Sequence, residues 1–218
     1  MDPRQVPISG VDFHLPAVAG DRLTPVELRQ RFASPPPWTP EIRQETPWEA
    51  RQPTPAAVLV GLVLRESPTV LLTQRTSHLP THASQIAFPG GKVDRADASP
   101  TATALREAWE EVGLSPDGVE ILGQLPDYAT GSSFVVTPVV GLVSPDVPVQ
   151  PNPQEVAEIF EVPLAYLMNP AHHRRHEAWW EGRHRQWYSM PYYDGGAERY
   201  IWGVTAGMLR NLYRLLIA

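Results

Sequence analysis

Cysteine is missing altogether from these 218 residues. That excludes disulfides, a thiol nucleophile and cysteine-ligated zinc, and it suits a reducing compartment. Lysine is nearly missing too: Lys92 is the sole one, and arginine supplies the rest of the 18 positive residues, a bias that reads as genome composition. No apolar run approaches the roughly 20 residues that span a bilayer; the longest is Ala56–Leu64. The first residues lack the basic start and apolar core of a secretory signal. These absences predict a cytoplasmic protein away from membranes. A net charge of -6 also excludes a general nucleic-acid binder, because nothing would offset phosphate repulsion over the whole surface.

What is present divides the chain in two. The 25 prolines are densest near the start. There Leu23–Ala33 has apolar positions at helical spacing, with Thr24 as N-cap and Pro25 in the first turn. The following SPPPWTPEIRQETPWEARQPTP reads as extended. The boundaries predicted are an arm over 1–52 and a domain over 53–218.

In the domain, Pro55–Glu66 and Thr69–Thr76 read as a hairpin of buried strands. Gln85–Asp94 reads as a short strand entering a Pro-Gly-Gly turn. Ala98–Gly113 reads as a helix, with Ser99 as N-cap, Pro100 at its first position and Gly113 as its stop. VEILGQLPDY and SSFVVTPVVGLV read as strands interrupted by Pro126 and Pro138. Further expectations are a strand at Glu158–Val162, a short helix in PLAYLM, a polar and aromatic hairpin over Ala178–Tyr193, and an amphipathic helix over Gly203–Ile217. The fold class is α/β (α+β), a mixed sheet between helices.

REAWEEVGL, Arg106–Leu114, poses an electrostatic question. With about 100° of rotation per residue, Glu107, Glu110 and Glu111 share one helix face, while Leu105, Trp109 and Val112 are expected to pack on the sheet. Like charges at this spacing repel by a few tenths of a kcal/mol when exposed, more when buried. Taken alone, the stripe reads as a solvated acidic face. Arg106 softens the repulsion but cannot reach all three acids. A hard divalent cation, Mg²⁺ or Mn²⁺, could bind the three together through oxygen ligands. The glycine turn before the helix, where backbone can approach a ligand, and the acids Asp94 and Asp97 favour the second reading.

Gly91, Asp97 and REAWEEVGL together resemble the Nudix box, in which glycine, five residues, glutamate and seven residues precede REUXEEXGU, U being apolar. Asp97 stands where the pattern has glutamate, and Gly91 to Arg106 is one residue longer. The resemblance implies an α/β/α sandwich and hydrolysis of a nucleoside diphosphate linked to another group. It implies that Glu107, Glu110 and Glu111 bind Mg²⁺ or Mn²⁺, that Arg106 orients them and that Gly91 offers its backbone. A cation there would activate water for in-line attack and neutralise pyrophosphate charge.

Upstream, LLTQRTSHLPTHASQIAFPGG resembles the signature of the coenzyme A pyrophosphatase branch. Leu71, Leu72, Thr73, Arg75, Phe88, Pro89, Gly90 and Gly91 match, whereas Pro80 stands for an arginine and Ser84 for a glycine. Arg75 reads either as a bidentate phosphate contact or as a salt-bridged strand-end residue, and Phe88 and Gly90 are candidate substrate contacts beside it. The resemblance implies cleavage of coenzyme A or acyl-coenzyme A to adenosine 3′,5′-bisphosphate and the 4′-phosphopantetheine part. Another nucleoside diphosphate derivative, such as ADP-ribose or a dinucleotide, and a nucleotide-sensing module without catalysis are the alternatives. Asn152–Pro170 and Tyr200–Leu209 read like the same branch, so the resemblance spans about 53–217.

Three features stay open on sequence alone. Glu155 reads as an extra base or metal ligand, or as an exposed loop acid. His78 and His82 have the spacing of half a helical metal site, but Pro80 between them argues for a loop. His172–Tyr188, rich in arginine, histidine and tryptophan, reads as a solvated hairpin or homodimer contact, or as a holder for a 3′-phosphate and a base.

Overall fold

Alternate residues of one apolar strand feed two separate cores. In the computed structural model, which describes residues 2–45, 52–78, 83–180 and 182–218, Ala57, Leu59 and Val63 pack with Ala104, Ala108 and Val112 on one side. Ala56, Val60 and Leu62 pack with Leu209, Leu212 and Leu216 on the other. A strand buried on both faces reads as a continuous apolar run because neither face meets water.

In chain order the elements are β1 (Ile8–Val11), α1 (Pro25–Ala33), β2 (Thr54–Val63), β3 (Thr69–Arg75), β4 (Ile86–Ala87), β5 (Gly90–Lys92) and α2 (Pro100–Val112). There follow β6 (Val119–Gln124), β7 (Tyr128–Ala129), β8 (Phe134–Val143), β9 (Val156–Pro163) and α3 (Leu164–Leu167). The chain closes with β10 (Arg174–Trp180), β11 (Arg183–Asp194), β12 (Ala197–Trp202) and α4 (Gly203–Ile217). The main sheet has the path β4-β3-β2-β8-β6, with β5 on β2, β7 on β8 and β9 on β3. Its β2·β8 pair is parallel along the full length from Thr54↔Phe134 to Val63↔Val143, and the other pairs are antiparallel. With α2 on one face and α4 on the other, this is the expected α/β/α sandwich.

Two features differ from the sequence reading. Pro138 does not interrupt β8; it lies inside the strand opposite Val58 of β2. On the other edge, β6 pairs only as far as Val139 and β7 begins at Val136. Pro138 thus falls in the gap, where a missing N–H removes no ladder bond, and its carbonyl accepts from the Leu125 N–H at 2.9 Å. The polar hairpin, β10 and β11, belongs to a second antiparallel sheet of order β1-β10-β11-β12.

The arm is stitched into this assembly. Thr24 caps α1 by accepting from the Glu27 N–H, and Val18, Leu23 and Leu28 are buried with the α4-side core. Arg210 of α4, 2% exposed, binds Asp12 at 2.9 Å and Glu41 at 2.8 Å. Asn211 Oδ1 accepts from the N–H groups of Glu41 and Ile42 at 2.9 and 3.1 Å. A buried guanidinium requires such partners, since an unpaired charge there would cost several kcal/mol. His78 lies in a turn after β3, while Pro80 and His82 fall outside the described residues.

Candidate active site

The helix that carries the glutamates is set by local chemistry at both ends. Ser99 accepts from the Ala102 N–H, Pro100 starts α2, and Gly113 ends it in the left-handed region at φ 65°. Its buried residues are Thr103, Ala104, Ala108, Glu111 and Val112. Trp109, expected against the sheet, is 56% exposed instead, and Leu105 is half-buried. The alanines, four residues apart, bring the helix close to β2, and Trp109 lies about 100° round from Ala108.

That rotation grades the three acids. Glu111 is buried at 4% exposure, Glu107 is half-buried, and the Glu110 side chain is 51% exposed. The Gly90 N–H donates to Glu111 Oε2 at 3.1 Å, and Arg75 at the end of β3 approaches Oε1 at 3.6 Å. Burial pushes the Glu111 carboxyl up to about 7, aided by the charges of Glu107 and Glu155 and opposed by Gly90 and Arg75. Burial likewise raises Glu107 against the opposing pull of Arg106. Both glycines of the turn allow close approach. A side chain on Gly90 would collide with the Ala57 and Val58 backbone, and one on Gly91 would collide with the Glu107 carboxylate.

Arg106 reaches two of the three glutamates, with Nη1 at 2.9 Å from Glu107 and 3.0 Å from Glu110. Its other edge is held by Asp97, whose carboxyl the guanidinium keeps well below the usual range. Asp97 also accepts from Thr103 Oγ1 at 2.9 Å and the Asp94 N–H at 2.8 Å. Glu155 comes beside the helix because Asn152 is tied to its C-terminal end. The Asn152 N–H donates to Glu111 O at 2.8 Å, and the Glu155 N–H to Asn152 O at 3.0 Å. Asn152 was not picked out from the sequence, although its Pro-Asn-Pro setting marks a rigid turn.

Among the described residues, no three carboxylate or imidazole groups converge as a ready metal cage. The donor chemistry nevertheless fits a hard divalent cation. The negative charges of Glu110 and Glu155 raise Glu107, those of Glu107 and Glu155 raise Glu111, and the Glu107 carboxylate lies against Gly91. Only oxygen donors are offered, as Mg²⁺ and Mn²⁺ prefer.

A cavity of about 1210 Å³ opens beside this cluster. Arg75, Phe88, Gly90, Gly91 and Glu111 line it, together with arm residues Pro40–Glu45 and parts of β10 and β11. Phe88 is at the same time a buried member of the α4-side core. Arg75 and Gly90 of the upstream signature therefore meet the last glutamate of the box at the cavity lining. Glu107, Glu110 and Glu155 are not among the described residues that line the cavity. The arm's share of the cavity had no signal in the sequence, since 40–45 reads as an ordinary polar stretch.

Known proteins match this arrangement in sequence. The family model described as NUDIX domain matches residues 53–187. The uncharacterized Nudix hydrolase NudL of Escherichia coli is 44% identical over 174 residues, covering 79% of this chain and 86% of its own. NudL of Shigella flexneri matches to the same extent, 44% over 174 residues. Among solved structures, an Ap4A hydrolase of C. elegans in a binary complex is 23% identical, with a TM-score of 0.44 over 54% of this chain and 85% of that one. A match over more than half of the sequence, taking in the whole glutamate helix and the turn before it, makes this chain a member of the Nudix hydrolase family.

Proposed function

We propose that this Nudix hydrolase cleaves the diphosphate of coenzyme A or its thioesters, giving adenosine 3′,5′-bisphosphate and the (acyl-)4′-phosphopantetheine part. The observation that carries the reading is the meeting of Arg75 and Gly90 at Glu111 on the cavity wall. Residues of the upstream signature and of the box form one site there.

In this reading Glu107, Glu110, Glu111 and the Gly91 backbone hold Mg²⁺ or Mn²⁺. A cation held there would supply charge neutralisation and an activated water. Arg75 offers a phosphate a bidentate guanidinium contact and fixes it for in-line attack. Oxygen from water joins one phosphorus, and the anhydride bond to the other breaks. Asp97 keeps Arg106 in place beside the metal-binding acids.

Ser84 and Pro80, which depart from the branch signature, favour a second substrate reading, another nucleoside diphosphate derivative such as ADP-ribose or a dinucleotide. The deciding experiment offers coenzyme A, an acyl thioester, dephospho-coenzyme A, ADP-ribose and dinucleotides with Mg²⁺ or Mn²⁺, and separates the products by chromatography. Coenzyme A or its thioester should give the highest kcat/KM and a bisphosphate product. Faster turnover of ADP-ribose would move the assignment to the second reading. Binding of coenzyme A without cleavage of any substrate would make the domain a sensor.

A further inference from the structure

Residues 40–45 precede the matched domain, yet they build one wall of the cavity. They are fastened to β7: the Glu45 N–H donates to Ala129 O at 2.8 Å, and the Ala129 N–H to Arg43 O at 2.9 Å. The acids of this segment are satisfied by the protein itself. Glu45 accepts from Tyr128 Oη at 3.1 Å and the Gly131 N–H at 2.9 Å. Glu41 accepts from Tyr188 Oη at 2.6 Å and Arg210 Nε at 2.8 Å. Arg43 lies between them, exposed and lining the cavity, with no side-chain hydrogen bond or ion pair among the described residues. The hairpin adds Arg185 and Arg175, the latter ion-paired with Asp12 at 3.3 Å, to the same lining.

This clustering is unexpected in a chain of net charge -6. Arg75 is engaged at the Glu111 end of the cavity, so Arg43 is a cation on a different wall with no protein anion to serve. A cavity with cations on separate walls suits a ligand with two separated anionic groups.

We propose that the arm segment 40–45 is a specificity element. In it Arg43, with Arg175 and Arg185, forms a second anion subsite for a phosphate monoester that the substrate carries apart from its scissile diphosphate. The proposal rests on the function given above and deepens it. A guanidinium matches the geometry of a phosphate dianion through paired N–H donors and keeps its charge at every working pH. The exposed subsite should weaken as salt rises. Arg43 acts here as a positioning residue, since it has no part in the bond-breaking step.

Two measurements on the whole chain test this. In steady-state kinetics, Arg43→Ala should raise KM for coenzyme A by about tenfold or more, the size of one charge-assisted contact. The KM for dephospho-coenzyme A and both kcat values should stay put, and Arg43→Lys should recover part of the loss. Equal effects on the two substrates, or none on either, would overturn the subsite. The second measurement is calorimetry without metal, comparing adenosine 3′,5′-bisphosphate with adenosine 5′-monophosphate. Tighter binding of the bisphosphate by the wild type, lost in Arg43→Ala, supports the subsite; equal binding of the two nucleotides overturns it. If the wild type cleaves no coenzyme A, the proposed function fails, and calorimetry still decides the subsite alone.

Discussion

Asp97 grips Arg106 with both carboxylate oxygens, Oδ1 accepting from Nε at 3.0 Å and Oδ2 from Nη2 at 2.9 Å. Arg106 Nη2 also donates to Lys92 O at 3.1 Å, so one guanidinium ties the loop after β5 to two glutamates of α2. The shorter acid and the extra residue before Arg106 thus end in a two-point lock. Asp97→Ala should free Arg106 to shift towards Glu107 and Glu110 and compete with a cation for them. Turnover should fall about tenfold to a hundredfold, as for other supports of metal ligands, with the melting temperature changed little. Asp97→Glu should keep more activity than Asp97→Ala. Comparable kcat/KM in Asp97→Ala and the wild type would show that the lock has no part in the reaction.

Glu111 is the acid in which burial, the Gly90 N–H and the Arg75 charge coincide. Glu111→Gln removes the charge and keeps an oxygen for Gly90, so the fold should survive while turnover drops by about a hundredfold to a thousandfold or more. Circular dichroism and melting would report the fold, and product formation at saturating Mg²⁺ the chemistry. Undiminished turnover in this variant would remove Glu111 from the active site.

Much of this site could be read from the sequence because its determinants are local. Ser99, Pro100 and Gly113 bound α2 through contacts within a few residues, and the apolar run of β2 announces a strand covered on both faces. Trp109 misled because hydrophobicity favours burying a tryptophan over an alanine, whereas close helix–sheet packing selected Ala104 and Ala108. The arm was opaque for a different reason. Its ties to α4 join residues on opposite ends of the chain, as in Asp12 with Arg210, and no periodicity encodes such a pair. The second sheet was missed likewise, since the β1·β10 pairing of Val11 with Arg174 is remote in sequence.

Ser84 occupies the left-handed region at φ 59°, the conformation that glycine adopts without cost. The glycine expected there from the branch signature would adopt this conformation without steric cost. A serine there stores roughly 1 kcal/mol of strain or more, partly offset because glycine adds entropy to the unfolded chain. Ser84→Gly should stabilise by about 0.5 kcal/mol, raising the melting temperature by about 1–2 °C for a chain of this size. A lower melting temperature would mean that the serine side chain is worth more than the strain it carries.

His173 is a pH-sensitive group of the core, wholly buried between α3 and α4. Its Nε2–H donates to Leu167 O at 2.7 Å, and its Nδ1 accepts from Arg210 Nη1 at 3.1 Å. A proton on Nδ1 would face the guanidinium, so the ring is held neutral. Burial chiefly, with the Arg210 charge assisting, pushes its pKa down from 6.5 to about 4. Below pH 6.5 the unfolded chain takes up this proton and the folded one does not, so stability must fall as pH drops from about 6.5 to about 4. The full effect is on the order of 3 kcal/mol. Glu111, raised to about 7, works in the opposite sense: its folded form binds a proton first, so it adds stability as pH falls. Only a difference between proteins separates the two. Urea unfolding of wild type and His173→Gln between pH 4.5 and 7.5 should show that the variant, though less stable at pH 7.5, loses less on acidification. Parallel pH profiles for the two proteins would show that His173 carries no proton-linked stability.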